Sequence, residues 1–212
     1  MADHRAGQTN VKDQGDRPTC AVFASTAGHE WLARDRPDLS EEFALWAAKQ
    51  RDGIQGEATS IHAAIEGIVQ EGQPLEWAWP YGYPCYPAGP PAAALDPQGR
   101  RHIRLSRKMD PSFDALWECI RIGGEAVVLG LGFVPHVWYQ SHGGWIEGGG
   151  QAATVGGHAV LAVGELPPAG GRSRAVIIKN SWGVAWGSAG YGFVSEPYLH
   201  KHLWVAYAMA AL

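Results

Sequence analysis

The chain carries three cysteines, Cys20, Cys85 and Cys119, and Cys20 is placed for chemistry. It follows Arg17-Pro18-Thr19 and opens the helix-patterned run Ala21-Val22-Phe23-Ala24. At a helix start, free backbone N–H groups and the positive end of the helix dipole favour the thiolate, which is the nucleophilic form. The plainer reading of such a cysteine is a small buried apolar residue. His158 stands after Gly156-Gly157, at the head of the apolar run Ala159-Val160-Leu161-Ala162-Val163. From there an imidazole can turn into a cleft, deprotonate a thiol and later protonate a leaving amine. The plainer reading of His158 is a hydrogen-bonded structural histidine. Asn180-Ser181-Trp182-Gly183 reads, taken alone, as an Asn turn beside a core tryptophan, and Gln14 as a solvated loop residue.

Together these segments resemble the papain family of cysteine peptidases. Residues 10–24, Asn-Val-Lys-Asp-Gln-Gly-Asp-Arg-Pro-Thr-Cys-Ala-Val-Phe-Ala, are similar to its nucleophile segment. Gly156 to Gly164 resembles its histidine strand. Ile178-Lys179-Asn180-Ser181-Trp182-Gly183 with Trp186-Gly187-Ser188-Ala189-Gly190-Tyr191-Gly192 resembles its Asn–Ser–Trp–Gly block. The resemblance implies Cys20 as nucleophile, His158 as its base, and Asn180 orienting the imidazole and setting its tautomer. It implies an oxyanion hole from Gln14 and the Cys20 N–H, since attack on a carbonyl puts negative charge on its oxygen. Trp182 would cover the His158–Asn180 hydrogen bond, with Ser181 in support.

His158 fits the family's roughly 130–150 residues after the cysteine, and Asn180 runs slightly longer. Insertions at Gly148-Gly149-Gly150 or Pro167-Pro168-Ala169-Gly170-Gly171 would account for that. Glu76 to Tyr81 and Gly53 to Gly56 match the family more weakly. The first cysteine of the family's nucleophile signature and the tryptophan after the second are absent, so the usual lobe disulfide cannot form there. Gly56, Glu57, Gly156 and Gly157 are the candidate substrate-binding residues. The glycines leave room at the cleft wall, and Glu57 would favour a basic substrate side chain.

These residues need elements to hold them. Residues 11–16 read as an entry loop. A helix follows from Cys20 to about Arg34, with Thr19 as N-cap and Phe23, Ala27 and Trp31 as its buried stripe. Ser40 caps a second helix, and Glu41 and Glu42 suit its positive end. A third spans Ile61 to Glu71, with Ile61, Ile65, Ile68 and Val69 on one face and Gly72 at its end. Residues 87–100 are too proline-rich for either element. Asp110-Pro111 reads as the start of a fourth helix carrying Phe113, Leu116, Trp117 and Ile120, with Cys119 as a structural thiol, and Gly123-Gly124 stops it. Short β-prone runs follow at Ala126–Gly132, His158–Gly164, Arg174–Asn180, Gly190–Ser195 and Leu203–Met209. His200-Lys201-His202 reads as a solvated turn.

Helices first and strands later argue an α+β chain of two lobes in one domain over residues 1–212: a helical lobe over 11–100 and a β-rich lobe over 101–212. The resemblance implies a papain-like two-lobe fold, with a β-barrel-like C-terminal lobe and the active site in the cleft between the lobes.

The 212 residues are 46% hydrophobic and 18% charged with net charge −4, which suits a folded domain and argues against a nucleic-acid partner. There is no stretch of about 18 apolar residues and so no membrane partner. The N-terminus lacks the apolar segment of a secretory signal or an inhibitory propeptide, and the sparse, odd cysteine count suits a reducing, cytoplasmic setting. No His-x-x-x-His or Cys-x-x-Cys pair occurs, so no metal and no cofactor is expected. The expected partners are a peptide or protein substrate and a protein inhibitor or activator. The leading function is peptide-bond hydrolysis through a Cys20 acyl-enzyme. The same intermediate would serve ligation, transpeptidation or deamidation, and a non-catalytic binding module is the third reading.

Overall fold

In the computed structural model, which describes residues 1–148 and 153–211, the first half of the chain is helical. Helix α1 (Cys20–Leu32) buries Ala21–Thr26 and Gly28–Glu30, so it has almost no solvent side. The expected stripe is therefore corrected: Phe23 is buried, but Ala27 and Trp31 are only half-buried. The physical reason is that α1 is enclosed, with helices on one side and the sheet on the other. Thr19 does not cap α1 with its side chain. Its hydroxyl pairs with the Tyr81 hydroxyl at 2.7 Å, while its carbonyl receives the Val22 and Phe23 N–H groups.

Ser40 caps α2 (Glu41–Lys49) by accepting from the Phe43 N–H. Ser60 caps α3 (Ile61–Glu71) in the same way through Ala63, and Gly72 at φ 71° ends it. Residues 87–100, expected to hold neither element, contain the short helix α4 (Ala92–Leu95) and a 3-10 turn over Pro97–Gly99. Arg100 explains part of this by donating to the Ala94 and Leu95 carbonyls at the end of α4. Ala94 itself is buried against Phe43 and Trp79.

The unanticipated strand β1 (Leu105–Met109) precedes α5 (Phe113–Ile122). Helix α5 starts at Ser112, whose hydroxyl accepts from the Ala115 N–H, and not at Asp110-Pro111. Then come β2 (Glu125–Phe133), α6 (Pro135–Tyr139), β3 (Trp145–Ile146), β4 (Gly156–Leu166), β5 (Ala175–Lys179), β6 (Tyr191–Ser195), α7 (Glu196–His202) and β7 (Leu203–Ala210). The expected turn at His200–His202 is the end of α7, where His202 is buried with its ring 4.4 Å from Tyr198.

The strands form one sheet in the order β1-β7-β2-β4-β5-β6-β3, antiparallel except for β3 beside β6. The expected barrel is corrected to an open sheet with β1 and β3 as its edges. Its central strands are apolar on both faces because both are covered. Val128, Leu161, Val163 and Ile177 pack towards α1 and α3. Val127, Leu129, Val160, Val176 and Ile178 face Phe113, Leu116 and Ile120 of α5, together with Trp138 and Tyr198. Alternation of side chains along a strand assigns neighbours to opposite cores. Of the two places expected to hold insertions, Pro167–Gly171 belongs to the β4–β5 turn, bridged from Ala169 to Arg172. Gly149 and Gly150 lie outside the described residues. No described helix is long and apolar enough to cross a membrane.

Candidate active site

Strand β4 delivers His158 opposite Leu131 of β2, and β5 ends at Lys179, so Asn180 leaves the sheet beside it. His158 Nε2 lies 2.7 Å from Asn180 Oδ1, and the Ser181 N–H donates to the same Oδ1 at 2.9 Å. An atom that takes a backbone N–H is an acceptor, so Nε2 must carry the hydrogen it shares with Asn180. The lone pair of the neutral imidazole is then on Nδ1, the nitrogen available as a base. Aromatic rings surround the imidazole: Trp182 at 4.6 Å, Trp138 edge-on at 5.2 Å and Phe133 at 6.1 Å between centroids. Burial pushes the His158 pKa from 6.5 down to about 4, against the opposing pull of the Asn180 bond.

Cys20 opens α1, where the first N–H groups have no preceding turn to bond. Two effects oppose each other at this thiol. Burial pushes the thiol pKa up, and the backbone amides of Ala159, Ala21 and Cys20 offset this only in part. Burial thus works against charge on both cleft groups.

Gln14 is held by the loop after β5. Asp13 bridges Trp182, the Gln14 N–H donates to the Ser181 carbonyl at 2.9 Å, and the Gly183 N–H donates to the Lys12 carbonyl at 3.2 Å. Gly183 is needed there: its φ is 69°, and an added Cβ would lie 2.9 Å from Asp13 Oδ2. Ser181 Oγ donates to Gln14 Oε1 at 2.6 Å, and Gln14 Nε2 donates to the Arg17 carbonyl at 2.8 Å. Those two bonds orient the amide and leave its second Nε2 hydrogen to point elsewhere. Beneath this segment Lys12 Nζ bonds Glu30, Glu41 and Asp38 within 2.9 Å, pinning the entry loop to α1 and α2.

Gln14, Cys20, Gly157, His158 and Trp182 line one cleft of about 520 Å³, with Phe133, Tyr139, Ala58 and Thr59 around them. Asn180 and Ser181 stand behind its wall, while Gly56 and Gly156 are not among its lining residues. The expectation that Glu57 meets a basic substrate side chain is corrected, because Arg17 holds that carboxylate through Nε at 3.1 Å and a terminal nitrogen at 2.7 Å. Room beside Gly157 is also smaller than expected. A Cβ there would meet the Trp204 ring at 3.1 Å, so the glycine makes space for the chain's own tryptophan.

Sequence reasoning missed Trp138, Phe133, Tyr139 and Arg17. Trp138 and Tyr139 come from the five-residue helix α6, too short to show a period, and Arg17 looks like an ordinary loop cation. Among the described residues no group of three His, Cys, Asp or Glu side chains is arranged to hold a metal ion.

No family model matches the chain. It is 30% identical over 192 residues to cathepsin K of Gallus gallus, across 86% of this chain and 54% of that protein, so it spans about half of the relative's length. In three dimensions it is similar to xylellain, a cysteine protease from Xylella fastidiosa, with TM-score 0.81, 22% identity and coverage of 100% of this chain and 85% of that one. It is also similar to the bromelain protease of Ananas comosus, solved with the inhibitor E64, with TM-score 0.74, 22% identity and coverage of 99% and 98%.

Proposed function

From the premise that this chain is a relative of the papain-like cysteine proteases, we propose that it is a cysteine peptidase that hydrolyses peptide bonds in peptide or protein substrates. The observation that carries the reading is the His158 tautomer. With Nε2–H held by Asn180, Nδ1 is the free base in the cleft that His158 shares with Cys20.

In the proposed reaction the Cys20 thiol gives its proton to His158 Nδ1 as sulfur attacks the scissile carbonyl carbon. The carbonyl oxygen becomes an oxyanion, met by the Cys20 N–H and the second Gln14 Nε2 hydrogen. The tetrahedral intermediate collapses, the carbon–nitrogen bond breaks, and His158 returns the proton to the leaving amine. Water then attacks the thioester, giving a proton to His158, and the acid product leaves as the thiol re-forms. Burial disfavours an isolated thiolate and an isolated imidazolium alike. Proton transfer between them makes both charges at once, each neutralising the other, so the pair is formed at the moment it is used.

The whole chain acts in this reading as one domain, with lobes over 11–100 and 101–212 and the cleft at their seam. Three free thiols suit work in a reducing compartment such as the cytoplasm. The test is labelling at neutral pH with an epoxide directed at papain-like thiolates, followed by peptide mapping. We expect one adduct on Cys20, lost in His158→Ala, together with hydrolysis of fluorogenic peptides. Equal labelling of Cys85 and Cys119, or no turnover of any peptide, overturns the reading. Product mass in the presence of an added amine separates hydrolysis from ligation or transpeptidation.

A further inference from the structure

Cys20, Cys85 and Cys119 are all free thiols, so no covalent tie holds the segment that presents Gln14 and Cys20. Arg17, between those two residues, gathers three elements instead. Its terminal nitrogens meet both oxygens of Glu42 from α2 at 2.7 and 3.0 Å. The Glu57 carboxylate, from the loop after α2, takes Nε and one terminal nitrogen. The guanidinium lies over the Tyr81 ring at 4.4 Å. Two of these three partners are themselves held. Glu42 is fully buried and also accepts the Gly82 and Tyr86 N–H groups. The Tyr81 hydroxyl reaches the Gln14 carbonyl at 3.0 Å and the Thr19 hydroxyl at 2.7 Å. A planar fork with fixed donors can hold two carboxylates in one geometry, which an ammonium cannot.

We propose that Arg17 is a positioning residue of the oxyanion site: its clamped guanidinium fixes the backbone of 14–19, so that its own carbonyl takes one Gln14 Nε2 hydrogen and aims the other at the cleft. The proposal rests on the peptidase reading for its kinetic consequence. Its atomic basis is the bond from Gln14 Nε2 to the Arg17 carbonyl, closed on the other side by Ser181 Oγ on Gln14 Oε1. If either bond shifts, the remaining donor points away from where negative charge develops, and oxyanion stabilisation depends on that aim.

Arg17→Lys keeps the charge and removes the fork, and Glu57→Gln removes charge from the more exposed arm. Each is compared with wild type in two reactions of Cys20: hydrolysis of a peptide amide, which needs an oxyanion hole, and alkylation by iodoacetamide, which does not. For Arg17→Lys we expect kcat to fall by about 10- to 100-fold with KM within about threefold, and alkylation to stay within about twofold. Glu57→Gln lowers kcat by about threefold in the same pattern. Parallel loss of hydrolysis and alkylation overturns the proposal in favour of a general structural role, and so does an unchanged kcat in both variants.

A third readout does not depend on turnover. If the amide is pinned, the two Gln14 side-chain amide protons exchange slowly with solvent and their NMR signals stand away from the shifts of a free glutamine, and Arg17→Lys speeds the exchange and returns the shifts towards the free values. If wild type cleaves no peptide, the peptidase reading fails and this spectrum alone decides the positioning role; an unaltered Gln14 signal overturns it. Should Arg17→Lys not fold, Glu57→Gln decides through the same three readouts.

Discussion

Two buried histidines of this molecule have the same average environment and opposite arrangements. His29, in α1, is 1% exposed, and His158, at the head of β4, is 6% exposed. Burial pushes both from 6.5 down to about 4. At His29 the Nδ1 nitrogen meets Gln73 Oε1 at 3.0 Å, while Gln73 Nε2 donates to the Thr26 hydroxyl and the Ser40 carbonyl. Gln73 Oε1 is thus an acceptor, Nδ1 of His29 carries the hydrogen, and the lone pair is on Nε2, a buried atom with no partner among the described residues. At His158 the tautomer is reversed: Nε2 is tied to Asn180, and Nδ1 keeps the lone pair beside an open cleft. Depth of burial and direction of pKa shift therefore do not separate a structural histidine from the one proposed as the base. Both residues border a cavity, that of His29 about 450 Å³; what separates them is that the His29 lone pair is itself sealed in protein, whereas that of His158 is the free nitrogen in the cleft shared with Cys20.

The largest expected effect tests that distinction directly. His158→Ala lowers kcat/KM for a peptide amide by about a thousandfold or more, with melting changed little. His29→Ala leaves kcat/KM within a few-fold but destabilises the fold by about 1–3 kcal/mol, because Gln73 loses its buried partner. Steady-state kinetics and urea unfolding of the two variants check this together, and a similar pattern in both would erase the contrast. Next in size is Asn180→Ala, which frees the imidazole to take either tautomer and lowers kcat on the order of 100-fold. If kcat is unchanged, Asn180 does not set the base.

Which of these features are legible in the sequence follows from their locality. His158 and Asn180 each stand in a short motif, and Cys20 marks its own helix start, so segment reading singles them out as candidates. The apolar centres of β4 (Ala159–Val163) and β5 (Ala175–Ile178) also reveal themselves, because a sheet covered on both faces leaves little that is polar to interrupt them. His29 carries no local mark, since its partner Gln73 is far along the chain and α1 is too enclosed to show a one-sided stripe. The Arg17–Glu42–Glu57 cluster is hidden for the same reason: three charged residues in separate segments look solvated until the fold pairs them. The open sheet in place of a barrel depends on β1 and β3. One is flanked by charged residues and the other is two residues long, so neither announces itself by pattern.

Acid should weaken the fold through both histidines. The unfolded chain takes up a proton on each as pH falls below 6.5, while the folded chain does not until about pH 4. Stability from these two sites is therefore full above pH 6.5 and declines as pH drops towards 4, by about 3 kcal/mol per histidine at most. Urea unfolding at pH 7 and pH 4.5 measures the decline, and His29→Gln should remove a large part of it. A decline of the same size in that variant would mean that other groups set the acid limit.

The smallest effect separates the two sites again, this time by kinetics. The acid limb of kcat/KM follows protonation of the free enzyme's base, so a depressed His158 places it near pH 4, well below an unperturbed imidazole. Desolvation by the aromatic box is the cause, and Trp182 is its nearest wall at 4.6 Å. Trp182→Ala admits water to the imidazole and should move the limb up by about one pH unit, with the plateau reduced by about tenfold or less. His29→Gln should leave the limb in place, because that histidine is absent from the cleft lining. Rapid assays after a pH jump keep acid unfolding out of the measurement. A wild-type limb near 6.5 would show that the cleft histidine is not the one burial has tuned, whereas a limb that moves with Trp182 and not with His29 ties the shift to the box around His158.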